Sequence, residues 1–284
     1  MIPFKDNIPT SRFPIVTVLL IVANIAVFAW QLTQSTSPGS SRSPHVQSLS
    51  ERDEATIEYG AIPYRLTHPG KDCAVGAGSQ ASNLNVVCQG TSHYDRARQA
   101  GAEGLAPFQP LDAPAWWVTL FTSMFMHGGL LHIGFNMLFL WIFGNNVEDS
   151  MGRPRFLLFY LLAGVVAGYA QSLLDVDSTV PQIGASGAIA GVLGGYLLLH
   201  PRARVLTVVI VIFFVTLIEV PALAFLVLWF ALQFLGQFGA PEITGGGGVA
   251  YFAHVGGFVF GLAAIKLFTS GQRVPGPGPP SPAY

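Results

Sequence analysis

Gly184-Ala185-Ser186-Gly187-Ala188-Ile189-Ala190-Gly191 plants a serine between glycines at the start of an apolar segment. A helix N-terminus offers free backbone N–H groups and the positive end of the peptide dipole, so a nucleophile there has a partial oxyanion hole beside it. Gly187, Gly191 and Gly195 recur every fourth residue, giving the helix a smooth stripe that a second helix can approach closely. The plainer reading is that the run serves packing alone, since small residues are common wherever membrane helices touch.

Composition sets the medium. Of 284 residues, 51% are hydrophobic and only 10% charged, which marks a membrane protein and not a soluble domain. The formal net charge of -1 and the absence of a basic run give no reason to expect nucleic acid as a partner. The first apolar segment follows Lys5 and Arg12, but it is too long for a signal peptide and lacks a small-residue cleavage site. It reads as a retained anchor.

Residues 14–33 form an uncharged run long enough to cross a hydrocarbon core of roughly 30 Å, and are helix one. Residues 34 to about 114 hold no sustained apolar period and read as a large polar loop. That loop carries Cys73 and Cys88, which suggest a disulfide on an oxidising side and two free thiols otherwise. Lying outside the helical core, the pair is expected to affect loop stability more than turnover. The Trp-, Phe- and Met-rich run 115–126 suits a membrane interface.

Helix two is expected over 127–147, helix three over 156–174, helix four from Ser186 to about His200, helix five over 222–238 and helix six over 249–267. Residues 205–218 are apolar and β-branched but short, and read as a segment at, or folding back from, the membrane face. The loop 245–248 is glycine-rich, and the tail from Gly271 is read as disordered. Six crossings put Arg153, Arg155, Arg202 and Arg204 on one side with Lys5, Arg12, Lys266 and Arg273, so both termini are expected to be cytoplasmic. A seventh crossing would send Lys266 and Arg273 outward.

Polar groups in hydrocarbon are costly and tend to face the bundle interior. Ser186, His254, His132 and Asn136 are such groups, with His132 and Asn136 one turn apart on one helix face and His127 just before them. His254 precedes Gly257 and Gly261, a spacing that would let helix six reach the glycine stripe of helix four. Serine is a weak nucleophile until a base takes its proton, and neutral histidine is the usual base. His132, Asn136 and the Ser186 N–H are candidate donors to an oxyanion, and no acidic residue is placed to orient His254, so the unit would be a dyad. The structural alternative is that these groups only link neighbouring helices by hydrogen bonds. No His-Glu-x-x-His motif occurs, and all eight aspartates fall outside the apolar cores, which argues against zinc and aspartyl membrane proteases.

With these residues in place the chain resembles the rhomboid intramembrane serine proteases over roughly residues 10–267. The match rests on Gly184-Ala185-Ser186-Gly187, on Ala253-His254-Val255-Gly256-Gly257, and on His132-Ile133-Gly134-Phe135-Asn136 with His127 five residues before His132. The resemblance implies an all-α polytopic membrane protein, a six-transmembrane-helix bundle with a large loop between helices one and two. Its divisions would be a cytoplasmic N-terminus (1–13), helix one (14–33), an extracytoplasmic loop and interfacial segment (34–126), a catalytic core (127–267) and a cytoplasmic tail (268–284).

It also implies Ser186 as nucleophile, His254 as general base, His132 and Asn136 as oxyanion donors, and Gly184, Gly187, His127 and Gly257 as residues shaping the site. No cofactor or metal is needed, the partners are the lipid bilayer and membrane proteins with a transmembrane segment, and the location is a bacterial plasma membrane. Three features depart from the family pattern: Ala190 replaces an aromatic found in some relatives, the long loop with its cysteines has no counterpart, and Trp116-Trp117 is followed by Val118 where some relatives have a Trp-Arg pair. A membrane protein that binds transmembrane helices without cutting them is the alternative. A transporter using His132 and His254 as proton sites is weakened by the lack of membrane carboxylates and of an inverted repeat.

Overall fold

The computed structural model describes residues 2–37, 49–77, 84–104, 108–211, 214–239 and 250–271. The glycine-rich loop expected at 245–248, the expected start of helix six at 249 and the tail beyond 271 lie outside the described residues.

The chain opens with a strand, β1 (Ile2–Asp6), followed by α1 (Ile15–Thr33). Thr17, Leu20, Asn24, Phe28 and Gln31 are buried, and their three- and four-residue spacing makes one stripe; Leu19, Val22 and Ile25 are exposed on the other side. The polar side chains of that stripe therefore face protein, and the outward face is apolar enough for lipid to cover. Pro14 offers no side-chain cap. Instead the buried Glu148 carboxylate accepts from the N–H groups of Val16 (3.0 Å) and Thr17 (2.8 Å) and from the Thr17 hydroxyl (2.8 Å), a favourable place for an anion.

The stretch read as a large polar loop folds, in its described part, into a small subdomain. It comprises α2 (Glu51–Tyr59), α3 (Pro63–Thr67), β2 (Cys73–Ala77), β3 (Leu84–Cys88), α4 (Ser92–Ala102) and β4 (Phe108–Pro110). These elements form a sheet of order β3-β2-β4, in which Cys73 pairs with Cys88 across the ladder and is disulfide-bonded to it. No element exceeds 11 residues. Such short pieces leave no period for a sequence window to detect. Their local signals are caps: the side chains of Ser50 and Thr91 accept from the N–H groups of Asp53 and Tyr94, each at 3.2 Å.

After α5 (Trp116–Thr122) and a 3-10 turn comes α6 (Leu130–Phe139), which runs through a π-helical turn (Leu140–Gly144) into α7 (Asn145–Met151). Gly152, at φ +82°, ends that unit, and Pro154 suits the first turn of α8 (Arg153–Leu174). α9 (Ser186–Leu199), β5 (Arg204–Val211), β6 (Phe214–Pro221), α10 (Ala222–Gly239) and α11 (Tyr251–Thr269) complete the chain. Among the described residues, four segments are long and apolar enough to cross a membrane: α1, the α6–α7 unit, α8 and α11. α9 and the Ala222–Leu232 part of α10 are shorter apolar helices.

The protein is therefore mostly helical, and the all-α expectation is corrected by two three-stranded sheets among the described residues. The second has order β1-β5-β6 and takes in the described part of the ambiguous stretch 205–218, where β5 and β6 pair antiparallel and the N-terminal strand lies along the β5 edge. Six of the eight β5 residues are β-branched, a composition that fits a pleated strand better than a helix. β1 also anchors the bundle: the buried Asp6 carboxylate accepts from the Tyr196 hydroxyl and from Asn146 Nδ2, each at 2.6 Å. Burial raises the Asp6 carboxyl from 3.8 to about 6 against the pull of the Tyr196 hydrogen bond.

α9 is the centre of the bundle, with every residue from Gly187 to Leu197 buried. Fourteen residues make a helix only about 21 Å long, shorter than a hydrocarbon core of roughly 30 Å. It is enclosed by Phe143, Phe156, Phe159 and Tyr160 from the neighbouring helices, all fully buried.

Candidate active site

Glycine sets the path into α9. Gly184 has φ +124°, a conformation that L side chains rarely adopt, and its N–H donates to the Ser123 carbonyl at 2.8 Å. A β-carbon at Gly184 would come within 2.7 Å of His132 Nε2 and 3.7 Å of Ser186 Oγ. The glycine therefore leaves room for the imidazole beside the serine. Ser186 is the first residue of α9, where backbone N–H groups have no intrahelical acceptor.

His254 is the fourth residue of α11, and its Nε2 lies 2.7 Å from Ser186 Oγ. Two contacts allow this approach. A β-carbon at Gly257 would overlap the Gly187 carbonyl oxygen, and one at Gly261 would overlap that of Gly191. Close backbone contact of this kind is what small residues permit between membrane helices. The beginning of α11 is fixed by α8: Gln171 Oε1 accepts from the N–H groups of Phe252 (3.1 Å) and Ala253 (3.3 Å), a cap supplied from another helix where Ala250 supplies none. Trp229 of α10 lies over the imidazole, with ring centroids 6.0 Å apart.

The Gly128 N–H donates to His132 Nδ1 at 3.2 Å, so the neutral ring carries its proton on Nε2, the nitrogen beside Gly184 and Ser186. His132 is thereby set up as a donor. Asn136, buried one turn later, spends one amide N–H on the His132 carbonyl at 3.0 Å and retains a second. His127 does not reach the serine. It is buried behind His132, ring edge to ring face at 5.0 Å, with its backbone N–H on Gln31 Oε1 at 2.9 Å.

Ser186, His254, His132, Gly184, Gly187 and Gly257 thus come together, whereas His127 supports from behind. Sequence reasoning passed over Gln171, Trp229, Gly128 and Ser123. Gln171 had a signal, since a carboxamide in an otherwise apolar stretch of α8 is costly without a partner; Gly128 and Ser123 act through backbone groups and have none. Among the described residues, no three His, Cys, Asp or Glu side chains converge as a metal site.

Comparison with known proteins finds the following likenesses. The family model described as "Rhomboid domain" matches residues 114–271. Over 82 residues the chain is 46% identical to a rhomboid protease of Bacillus subtilis (strain 168), GluP, a match covering 29% of this chain and 15% of that protein. It is 32% identical over 93 residues to the mitochondrial rhomboid protein 1 of Saccharomyces cerevisiae, covering 31% and 27%. With the rhomboid protease GlpG of Salmonella paratyphi A it shares 26% identity over 171 residues, covering 59% and 54%. The matches span about half the length of these relatives or less.

Proposed function

The chain belongs to the rhomboid family, and from that premise we propose that it is an intramembrane serine endopeptidase, cutting membrane proteins within or beside a transmembrane segment. The observation that carries the reading is the 2.7 Å contact between Ser186 Oγ and His254 Nε2 at the N-terminus of a buried helix. Ser186 Oγ attacks the carbonyl carbon of the scissile bond while His254 Nε2 takes its proton. Negative charge then develops on the former carbonyl oxygen. The Ser186 N–H, the His132 Nε2–H and the second amide N–H of Asn136 are the donors proposed to stabilise it. The tetrahedral species collapses as His254 returns its proton to the leaving amine, giving an ester on Ser186. Water, deprotonated by His254, hydrolyses that ester and releases the new carboxyl end.

The proposed topology has six crossings, with α9 and α10 as the two shorter ones. Both termini are cytoplasmic, in a bacterial plasma membrane. Because α9 is too short to fill the hydrocarbon core, its N-terminus lies below the outer surface, and water reaches Ser186 from that side.

Reconstitution in proteoliposomes with a panel of tagged single-pass membrane proteins tests this. The expected result is cleavage that disappears with Ser186→Ala. Cleavage indifferent to that change, or helices bound by the protein and left intact across the panel, would overturn the reading.

A further inference from the structure

The segment from Asp175 to Ala185, which leads into Ser186, has no helix or named strand of its own. Much of what holds it comes from the disulfide-bonded subdomain. Ala61 and Gln182 exchange both backbone hydrogen bonds, Ala61 N–H to the Gln182 carbonyl at 3.0 Å and Gln182 N–H to the Ala61 carbonyl at 2.9 Å. The Tyr64 N–H donates to the Ser178 carbonyl at 2.9 Å, and the Thr67 hydroxyl to the Val176 carbonyl at 2.8 Å. Gln182 is two residues before Gly184, the glycine whose positive φ aims the chain into α9.

Behind these contacts the subdomain is packed. Ile62 and Tyr64 are buried in one cluster with Cys73, Val86 and Cys88, and the Tyr64 hydroxyl donates to the Gln89 carbonyl at 2.8 Å, just past the disulfide. A continuous packed path thus runs from Cys73–Cys88 through Ile62 and Tyr64 to Ala61, Gln182 and Gly184. Gly60 marks how close the fit is: a β-carbon there would meet the Thr56 carbonyl oxygen at the end of α2 at 2.5 Å, and across the junction Pro181 Cβ at 2.7 Å and Ile183 Cγ2 at 3.3 Å.

We infer that the subdomain is a positioning clamp on the serine loop, acting through the Gly60–Ala61 edge, and that the Cys73–Cys88 bond stiffens this clamp. The inference rests on the proposed role of Ser186. It also gives the cysteines a route to turnover that their place outside the helices does not suggest. Catalytic groups displaced by about 1 Å can lose roughly 10²-fold in rate, so a clamp of this kind acts on the chemical step while touching neither reacting group.

Gly60→Ala is the direct probe, because the added methyl is crowded between the Thr56 carbonyl of α2 and the Pro181 and Ile183 side chains, so it shifts the junction between subdomain and serine loop while leaving the dyad residues unaltered. The full-length protein in detergent is labelled with a fluorophosphonate, and kcat, KM and the melting temperature of the helical core are measured alongside. The clamp predicts that labelling of Ser186 and kcat fall together, by between roughly tenfold and a hundredfold, with KM and melting temperature nearly unchanged. Reduction of Cys73–Cys88 by a phosphine should slow labelling in the same direction, and reoxidation should restore it. This second arm stands even where Gly60→Ala does not fold. Labelling at the original rate after both changes, or a loss that follows melting temperature alone, overturns the clamp. An original protein that never labels at Ser186 removes the nucleophile reading itself.

Discussion

Gly257 of α11 sits so close to the Gly187 carbonyl of α9 that a β-carbon at 257 would overlap the oxygen. This contact brings the His254 helix onto the Ser186 helix, and Gly261 against Gly191 repeats it one turn on. Neither glycine has a smaller substitute. The separation of α9 and α11 is thus fixed by backbone touching backbone.

Gly257→Ala should therefore force α11 outward and part the imidazole from the hydroxyl. Overpacking of this type costs about 1–3 kcal/mol, so melting temperature and fluorophosphonate labelling should both fall. Gly134→Ala is the control: a β-carbon there meets nothing within 4 Å, and replacing a helical glycine should leave stability equal or slightly higher. A Gly257→Ala protein that labels like the original would detach the helix contact from the chemistry.

Asn136 separates catalysis from structure. As an oxyanion donor its loss should lower kcat by roughly 10²–10³, with KM and melting temperature nearly unchanged, and Ser186 should still label, though more slowly. As a structural link, a donor to the His132 carbonyl within its own helix, its removal would lower melting temperature and leave turnover intact. Steady-state kinetics beside thermal melts of Asn136→Ala decides between them.

Asp6 sets a pH dependence. Its folded-state carboxyl is raised by burial from 3.8 to about 6, so the native protein holds this proton more tightly than the unfolded chain does. The stabilisation is complete below about pH 4 and is lost as pH rises through about 6. Asp6→Asn keeps an oxygen acceptor for Tyr196 and Asn146 and cannot ionise. Its melting temperature, relative to the original, should rise between pH 4 and pH 7; a constant difference across that range would show that Asp6 does not titrate there.

The helices were legible because an apolar run of membrane length has few alternative readings, as for α1 and α8. The grouping of Ser186 with His254 and His132 was legible too, since each is a polar group that an apolar segment must turn inward. The subdomain was not, because its elements are short and its third strand, β4, pairs with β2 only across the whole of β3 and α4. The pair of β5 and β6 announced its β-branched content, yet its partner β1 lies some 200 residues away, beyond any local pattern. Backbone contacts were silent for a different reason: the Gly128 N–H on His132 and the Ala61–Gln182 bridge leave no trace in side-chain identity.

The central claim is that Ser186 is a nucleophile activated by His254. Intact-mass and peptide mass spectrometry after fluorophosphonate treatment tests it most directly, on the original protein, Ser186→Ala and His254→Ala. The account predicts one adduct per chain, mapped to Ser186, absent from Ser186→Ala and strongly slowed in His254→Ala. No adduct on the folded original protein, or an adduct that persists in Ser186→Ala, would contradict it.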